Sequence, residues 1–180
     1  MIVYNKSIKL LRKYIKNDAL IHHCEMVALA MEAYAKILGK SETEIEEWRT
    51  AGLLHDLDWE RYPDEHPNIA VNEILPQLGY SAEVIGAIKA HAPERTGKHP
   101  ETELERYLFA CDELSGFMHA VSLMRPTGFN GMKPKSVTKK LKTLNFAANV
   151  SRADIQTGAD LIQTPLNDHI LFLISVFSQS

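Results

Sequence analysis

The stretch Gly52 to Glu60 reads GLLHDLDWE: an apolar run, Ala51 to Leu54, leads straight into His55, Asp56 and Asp58. An aspartate beside a buried run needs a partner, because Asp is rarely fully buried unless it is paired or coordinates a metal. Further along, His23, His66, His91 and Asp112 stand in comparable settings. Imidazoles and carboxylates together suit Zn, Fe, Mn, Co or Ni, whereas an all-oxygen set would suit Mg or Ca. Asp112 lies among Leu108, Phe109, Ala110, Leu114 and Phe117, where an unpaired carboxylate would be costly.

Each of these residues also has a plainer role. His66 alone reads as a partner for a helix dipole, His91 before Ala92-Pro93 as a cap, and Asp112 as the partner of a buried Arg. Asp58 is read as an ordinary loop residue, the alternative being an acceptor that orients a His. His22, His99, His119 and His169 are read as surface or core residues, and Cys24 and Cys111 as small apolar filler.

The elements that must position these groups are helical. Ala19 to Leu38 places Leu20, Val27, Ala30, Met31, Tyr34 and Leu38 on one stripe, closed by Gly39. Ser41 and Glu44 form a capping box that opens a helix through Leu54. Pro63 and Pro67 punctuate a polar loop, after which helices are expected from about Pro67 to Leu78 and from Ser81 to about His91. Ala92 to Pro100 reads as a loop, and Glu101 to His119 as an amphipathic helix. Arg125 to Gly131 breaks the chain again, and shorter helices fill Ser136 to Phe146, Arg152 to Ile162 and Leu166 to Phe177. No window alternates apolar and polar residues between turn signals as a strand would. The expected fold is all-α, a single-domain helical bundle in which helix ends from different segments converge on one pocket.

At 180 residues the chain has one domain's length and room for a sizeable core. Its net charge of −3 argues against a nucleic-acid partner, since affinity for phosphate backbones comes from Lys and Arg. The lysines between Lys133 and Lys142 read as a solvated helix face. The first residues lack the apolar core of a signal peptide, and the C-terminal ILFLISVF is too short to span a bilayer. Two cysteines cannot build a disulfide framework, so a reducing, cytoplasmic setting without a membrane partner is expected. The apolar segment Ile170 to Phe177 is expected to pack on its own bundle, the alternative being a homodimer. There is no GxGxxG, no GxxxxGK[ST] and no Ser nucleophile elbow, so nothing supports a nucleotide cofactor.

The order His23, His55-Asp56, Asp112 resembles the HD superfamily of metal-dependent phosphohydrolases, whose signature is H…HD…D across an all-helical bundle. His23-Cys24-Glu25-Met26-Val27-Ala28 is similar to the first motif, Gly52 to Asp56 to the second, and Ala110-Cys111-Asp112-Glu113-Leu114 to the last. The match spans roughly Leu20 to Ser122. The stretches LLHDLD, EHP and DELSG also resemble a smaller group of HD proteins with a C-terminal extension, here 123–180. The resemblance implies that His23, His55, Asp56 and Asp112 hold one ion. His66 and His91 would complete a second site bridged by Asp56, or else face the substrate phosphate. The cofactor implied is one or two divalent transition-metal ions, Mn, Co, Ni, Fe or Zn. Two departures narrow the branch: His91 is followed by Ala92 where others carry a His-His pair, and Gly79-Tyr80 is followed by Ser81 where the cyclic-dinucleotide enzymes carry proline.

The expected function is hydrolysis of a small phosphate ester, a nucleotide or related phosphomonoester, by a metal-activated water. Asp56 is the candidate to take the water's proton, and His66 or His91 to protonate the leaving oxygen. Arg125 and Lys133 are the candidates to hold the phosphate. The alternatives are a ligand-binding or regulatory module without turnover, and a di-iron oxygenase.

Overall fold

The computed structural model describes residues 2–179. Among them there is no strand, and ten α-helices with one π-helical turn form a bundle. Helix α1, Ile2–Tyr14, had no counterpart in the sequence reading. Helix α2, Asp18–Ile37, begins where the Asn17 side chain accepts from the N–H groups of Ala19 and Leu20, at 2.9 and 3.2 Å. It ends at Gly39, whose φ of 69° is the left-handed conformation a helix stop needs. Helix α3, Glu42–Leu54, opens on the expected capping box: Ser41 Oγ accepts from Glu44 N–H at 3.3 Å, and Glu44 Oε2 accepts from Ser41 N–H at 2.9 Å.

The bundle is organised around α2 and α3, which pack together more extensively than any other pair. Their backbones touch at Gly52, where a Cβ would lie 2.9 Å from the Cα and N of Ala28. This approach sets the end of α3, with His55 and Asp56, against the turn of α2 that follows His23. Helix α7, Glu103–Leu123, packs against both and brings Asp112 to the same place. It too starts on a capping box, Thr102 with Glu105, that the sequence reading did not assign. Val27, Met31, Leu53, Leu54, Leu108, Leu114, Phe117 and Met118 fill the space between the three helices.

Two segments depart from expectation. The α-helix predicted for Pro67 to Leu78 is a π-helical turn, Ala70–Ile74, followed by one turn of α4, Leu75–Gln77. Pro76 has no N–H, and its ring would clash with a carbonyl one α-turn earlier, so the wider turn accommodates it. The predicted loop from Ala92 to Pro100 contains α6, Pro93–Thr96, with Pro at its start and Gly97 at φ 71° just past its end. Between them α5, Ala82–Ala90, follows the Ser81 cap as expected.

After α7 the extension folds back. Helices α8, Pro134–Leu141, α9, Arg152–Leu161, and α10, Leu166–Phe177, follow in order. Helix α9 lies on α7, and α10 packs against α2, α8 and α9, burying Ile170, Leu173, Ile174 and Phe177 on the chain's own bundle. His169 locks α10 in place: its Nδ1 accepts from the Tyr34 hydroxyl at 2.6 Å, and its Nε2–H donates to Ala110 O at 3.0 Å. No helix among the described residues is long and apolar enough to cross a membrane.

Candidate metal centre

Six residues from five segments meet at one end of the α2–α3–α7 core. His23 and Asp112 come from the middle of helices. His55 and Asp56 follow directly on α3, His66 lies in the turns after it, and His91 ends α5. Their ligand atoms form two groups, His23–His55–Asp112 and Asp56–His66–His91, each with all its atoms within 4.8 Å of one another. In the first, His23 Nε2 lies 3.2 Å from His55 Nε2 and 3.0 Å from Asp112 Oδ1, with 3.3 Å between His55 Nε2 and Asp112 Oδ1. In the second, His66 Nε2 lies 3.2 Å from His91 Nε2.

Asp56 joins the two groups. Its Oδ2 faces His55 Nε2 at 3.4 Å and His23 Nε2 at 3.9 Å, while its Oδ1 faces His66 Nε2 at 3.4 Å and His91 Nε2 at 4.0 Å. Each carboxylate oxygen therefore addresses one group.

The donor set fits metal ions, and the ring tautomers show why. His55 Nδ1–H donates to Gly52 O at 2.8 Å, His91 Nδ1–H to Ile88 O at 2.5 Å, and His66 Nδ1–H to Asp58 Oδ1 at 2.7 Å. These partners only accept, so in the neutral rings Nε2 carries a lone pair and no hydrogen. His66 and His91 then oppose lone pair to lone pair across 3.2 Å. Such a contact is repulsive by itself and is relieved by a cation between the rings.

The electrostatics carry the same signature. Burial opposes a charge on His55, but Asp56 and Asp112 outweigh it and hold the imidazole well above its ordinary value. Asp112 is itself held well below the usual carboxylate range, His55 and a hydrogen bond from His23 outweighing burial. For His91 burial prevails, with His55 adding to it, and the imidazole falls to about 4. The protein thus assembles negative charge and imidazole nitrogens where only a positive species balances them.

A family model described as the HD domain matches residues 20–116, more than half of the chain, and spans His23, His55-Asp56 and Asp112. The chain belongs to the HD domain family. Members of this family are commonly metal-dependent hydrolases. No curated protein and no solved structure matches the chain.

Around the centre of this HD domain lies a cleft of about 350 Å³. His23, Asp56, His66, His91 and Asp112 line its floor, and Trp59, Phe109, Glu94, Arg95, Glu113, Asn149 and Asp154 its walls. Arg125 and Lys133, expected from the sequence to hold a phosphate, do not line it. The Arg125 guanidinium closes its own loop, donating to Gly128 O at 2.8 Å and to Asn130 O at 3.0 Å, and Lys133 sits exposed at the start of α8. The cation that does line the cleft is Arg95, from the segment read as a loop. It lies over the Trp59 ring at 5.3 Å and donates to Pro63 O at 2.7 Å and to His66 O at 3.3 Å. Nothing in its spacing marked it, because it reaches the cleft only through the fold of α6.

Asp58 is not the ordinary loop residue expected from the sequence. It is fully buried, its Oδ1 accepts from His66 Nδ1–H, and its Oδ2 accepts from Ala70 N–H at 2.7 Å, so it orients His66 and fastens the π-helical turn. The filler reading of the cysteines agrees with their setting. Both are fully buried, and burial pushes the Cys24 thiol up to about 12 and Cys111 higher still, which leaves them unreactive. Glu113 shares the cleft with Asp112; burial, then Asp112, raise its carboxyl to about 7, while Ser151 N–H donates to it at 3.0 Å.

Proposed function

We propose that this HD domain is a metal-dependent phosphohydrolase for a small phosphate ester, built on a paired centre. His23, His55, Asp56 and Asp112 would hold one ion, and Asp56, His66 and His91 the other. The observation that carries the reading is Asp56, which turns one oxygen to each group of imidazoles. Bound there, divalent transition ions polarise phosphoryl oxygens and lower the pKa of water toward neutrality.

The chain's own residues supply the rest. Water adds to phosphorus and the ester P–O bond breaks; one proton of the water stays with the phosphate and the other goes to the leaving oxygen, so the organic part leaves as an alcohol. Asp56, expected from the sequence to take the water's proton, has both oxygens turned to the imidazole groups, and although burial opposes its charge, His55 holds its carboxyl well below the usual carboxylate range, which favours a ligand over a base. His66 and His91 have their Nδ1–H groups tied to Asp58 and Ile88 and their Nε2 atoms turned inward, which favours the ligand role over the acid role expected from the sequence. Arg95 is the one Lys or Arg among the described residues lining the cleft and is placed to receive phosphate charge. A cleft of this size suits a small molecule and not a nucleic-acid strand.

The test is elemental analysis of protein purified without chelator, beside His55→Ala, Asp56→Ala and His91→Ala. About two transition-metal ions per chain are expected in the wild type, with both lost in Asp56→Ala and one retained in His91→Ala. A screen of phosphate esters on the loaded protein follows. Failure to take up Mn, Co, Ni, Fe or Zn would overturn the reading. Ester binding without turnover would move it to a regulatory module, and a di-iron centre that consumes dioxygen would move it to an oxygenase.

A further inference from the structure

The cleft has two unlike sides. One is the imidazole and carboxylate centre with Arg95. The other is made partly by the C-terminal extension, beyond the residues that match the family: Asn149 and Val150 come from the loop before α9, and Asp154 from its first turn. Glu113, next to Asp112 on α7, completes this wall and is tied to the extension by the Ser151 N–H.

The loop is held in shape by one side chain. The Arg152 guanidinium donates to Ala147 O at 2.5 Å, to Val150 O at 2.6 Å, to Phe146 O, and to Thr143 O at 3.5 Å. It lies over the Phe117 ring at 5.0 Å, which fixes it to α7. Gathering four carbonyls under one guanidinium holds even Ala147 at a φ of 44°, a conformation that L-residues rarely adopt. Helix α9 is set just as firmly, because a Cβ at Gly158 would lie 2.6 Å from the Cα of Ala110. The wall is thus rigidly built, and what it turns to the cleft is polar. Among the described residues, Asn149 and Asp154 make no side-chain hydrogen bond or ion pair, and no Lys or Arg lining the cleft belongs to this side.

We infer that this wall selects the substrate: it takes the organic part of a phosphate ester that carries a cationic amine, with Asp154 and Glu113 as its partners and Asn149 beside them. The inference rests on the phosphohydrolase reading for the phosphate end. An ester whose far end is anionic would meet the Asp154 carboxylate without a counter-charge, and an apolar one would desolvate it without compensation. An ammonium group pairs with Asp154 and can donate to Glu113 beside it. Arg152 acts one step back as a positioning residue, setting the loop that presents Asn149.

The experiment is calorimetric titration of the metal-loaded 180-residue chain with three probes: inorganic phosphate, glycerol 3-phosphate and O-phosphoethanolamine. Phosphoethanolamine is expected to bind at least tenfold more tightly than the other two. That preference is expected to fall below threefold in Asp154→Asn, and in Arg152→Lys at unchanged metal content, because lysine cannot reach four carbonyls. Should Arg152→Lys fail to fold, Asp154→Asn decides. Equal binding of the two esters, a preference for glycerol 3-phosphate, or a preference that survives Asp154→Asn would overturn the inference while leaving the phosphohydrolase reading standing. Metal-loaded protein that binds none of the three would sink both.

Discussion

Each imidazole of the centre has two ring nitrogens, and in His55, His66 and His91 the protein occupies one of them with an oxygen of its own. For His55 and His91 that oxygen is a carbonyl three residues back in the same helix, so the helix end itself sets the ring. His66 lies in turns and has no such carbonyl to use; the Asp58 carboxylate takes that place and serves Ala70 N–H with its second oxygen. Two donors converge on this side chain, and an Asn there could accept from only one while turning its own NH₂ toward the other. Asp58→Asn is therefore expected to weaken binding of the second ion by roughly 10- to 100-fold, the usual effect of disturbing a group that orients a metal ligand. The first ion should bind as before. Stepwise metal titration checks this, and two unchanged affinities would show that Asp58 serves only the fold. The sequence offered a His-orienting role for Asp58 only as the alternative and did not identify His66 as the partner, because a separation of eight residues through consecutive turns follows no helical or strand period.

At the scale of elements, what could be read from the sequence was what is local. Capping at Ser41 and Ser81, the stop at Gly39 and the apolar run Ala51 to Leu54 all act within a few residues, and the structure places each as expected. What could not be read was where helices touch. Gly52 and Gly158 look like weak points in a helix, since Gly costs about 1 kcal/mol there relative to Ala. Only the packing of α3 on Ala28 and of α9 on Ala110 shows that no Cβ fits. The polar wall of the cleft was missed for the same reason, because Asn149 and Asp154 meet the centre only once α9 lies on α7. Gly158→Ala is accordingly expected to destabilise the chain by about 1–3 kcal/mol, as overpacking usually does, despite alanine's better helix propensity. Urea unfolding would show a lower midpoint at an unchanged slope. A midpoint at or above that of the wild type would mean that α9 shifts freely on α7, and that the wall is not rigid.

For the molecule as a whole, the extension closes back on the body of the HD domain through His169. This imidazole is fully buried between the Tyr34 hydroxyl and the carbonyl of Ala110, two residues before Asp112. Burial pulls it from its ordinary 6.5 down to about 4, with the bond to Ala110 O opposing only in part. Among the described residues no charged side chain bonds to the ring, and Tyr34 stays a neutral phenol, raised by burial far above its ordinary value. The sign follows from proton counting. Between pH 6.5 and 4 the unfolded chain binds a proton at this site and the folded chain does not, so stability falls as the pH drops through that window. The stability is fully present above 6.5, and the loss amounts to about 3 kcal/mol by the time pH 4 is reached. His91 is also depressed, to about 4, and adds a similar slope to any protein that retains it. The contribution of His169 is therefore the difference between wild type and His169→Gln, measured as urea midpoints from pH 7 to 4. The variant is expected to be the less stable at pH 7 and to lose stability more gradually on acidification, so that the two curves converge. Parallel curves would mean that His169 takes up its proton as readily in the folded chain as in the unfolded one, and that α10 is held by packing and not by this hydrogen-bonded ring.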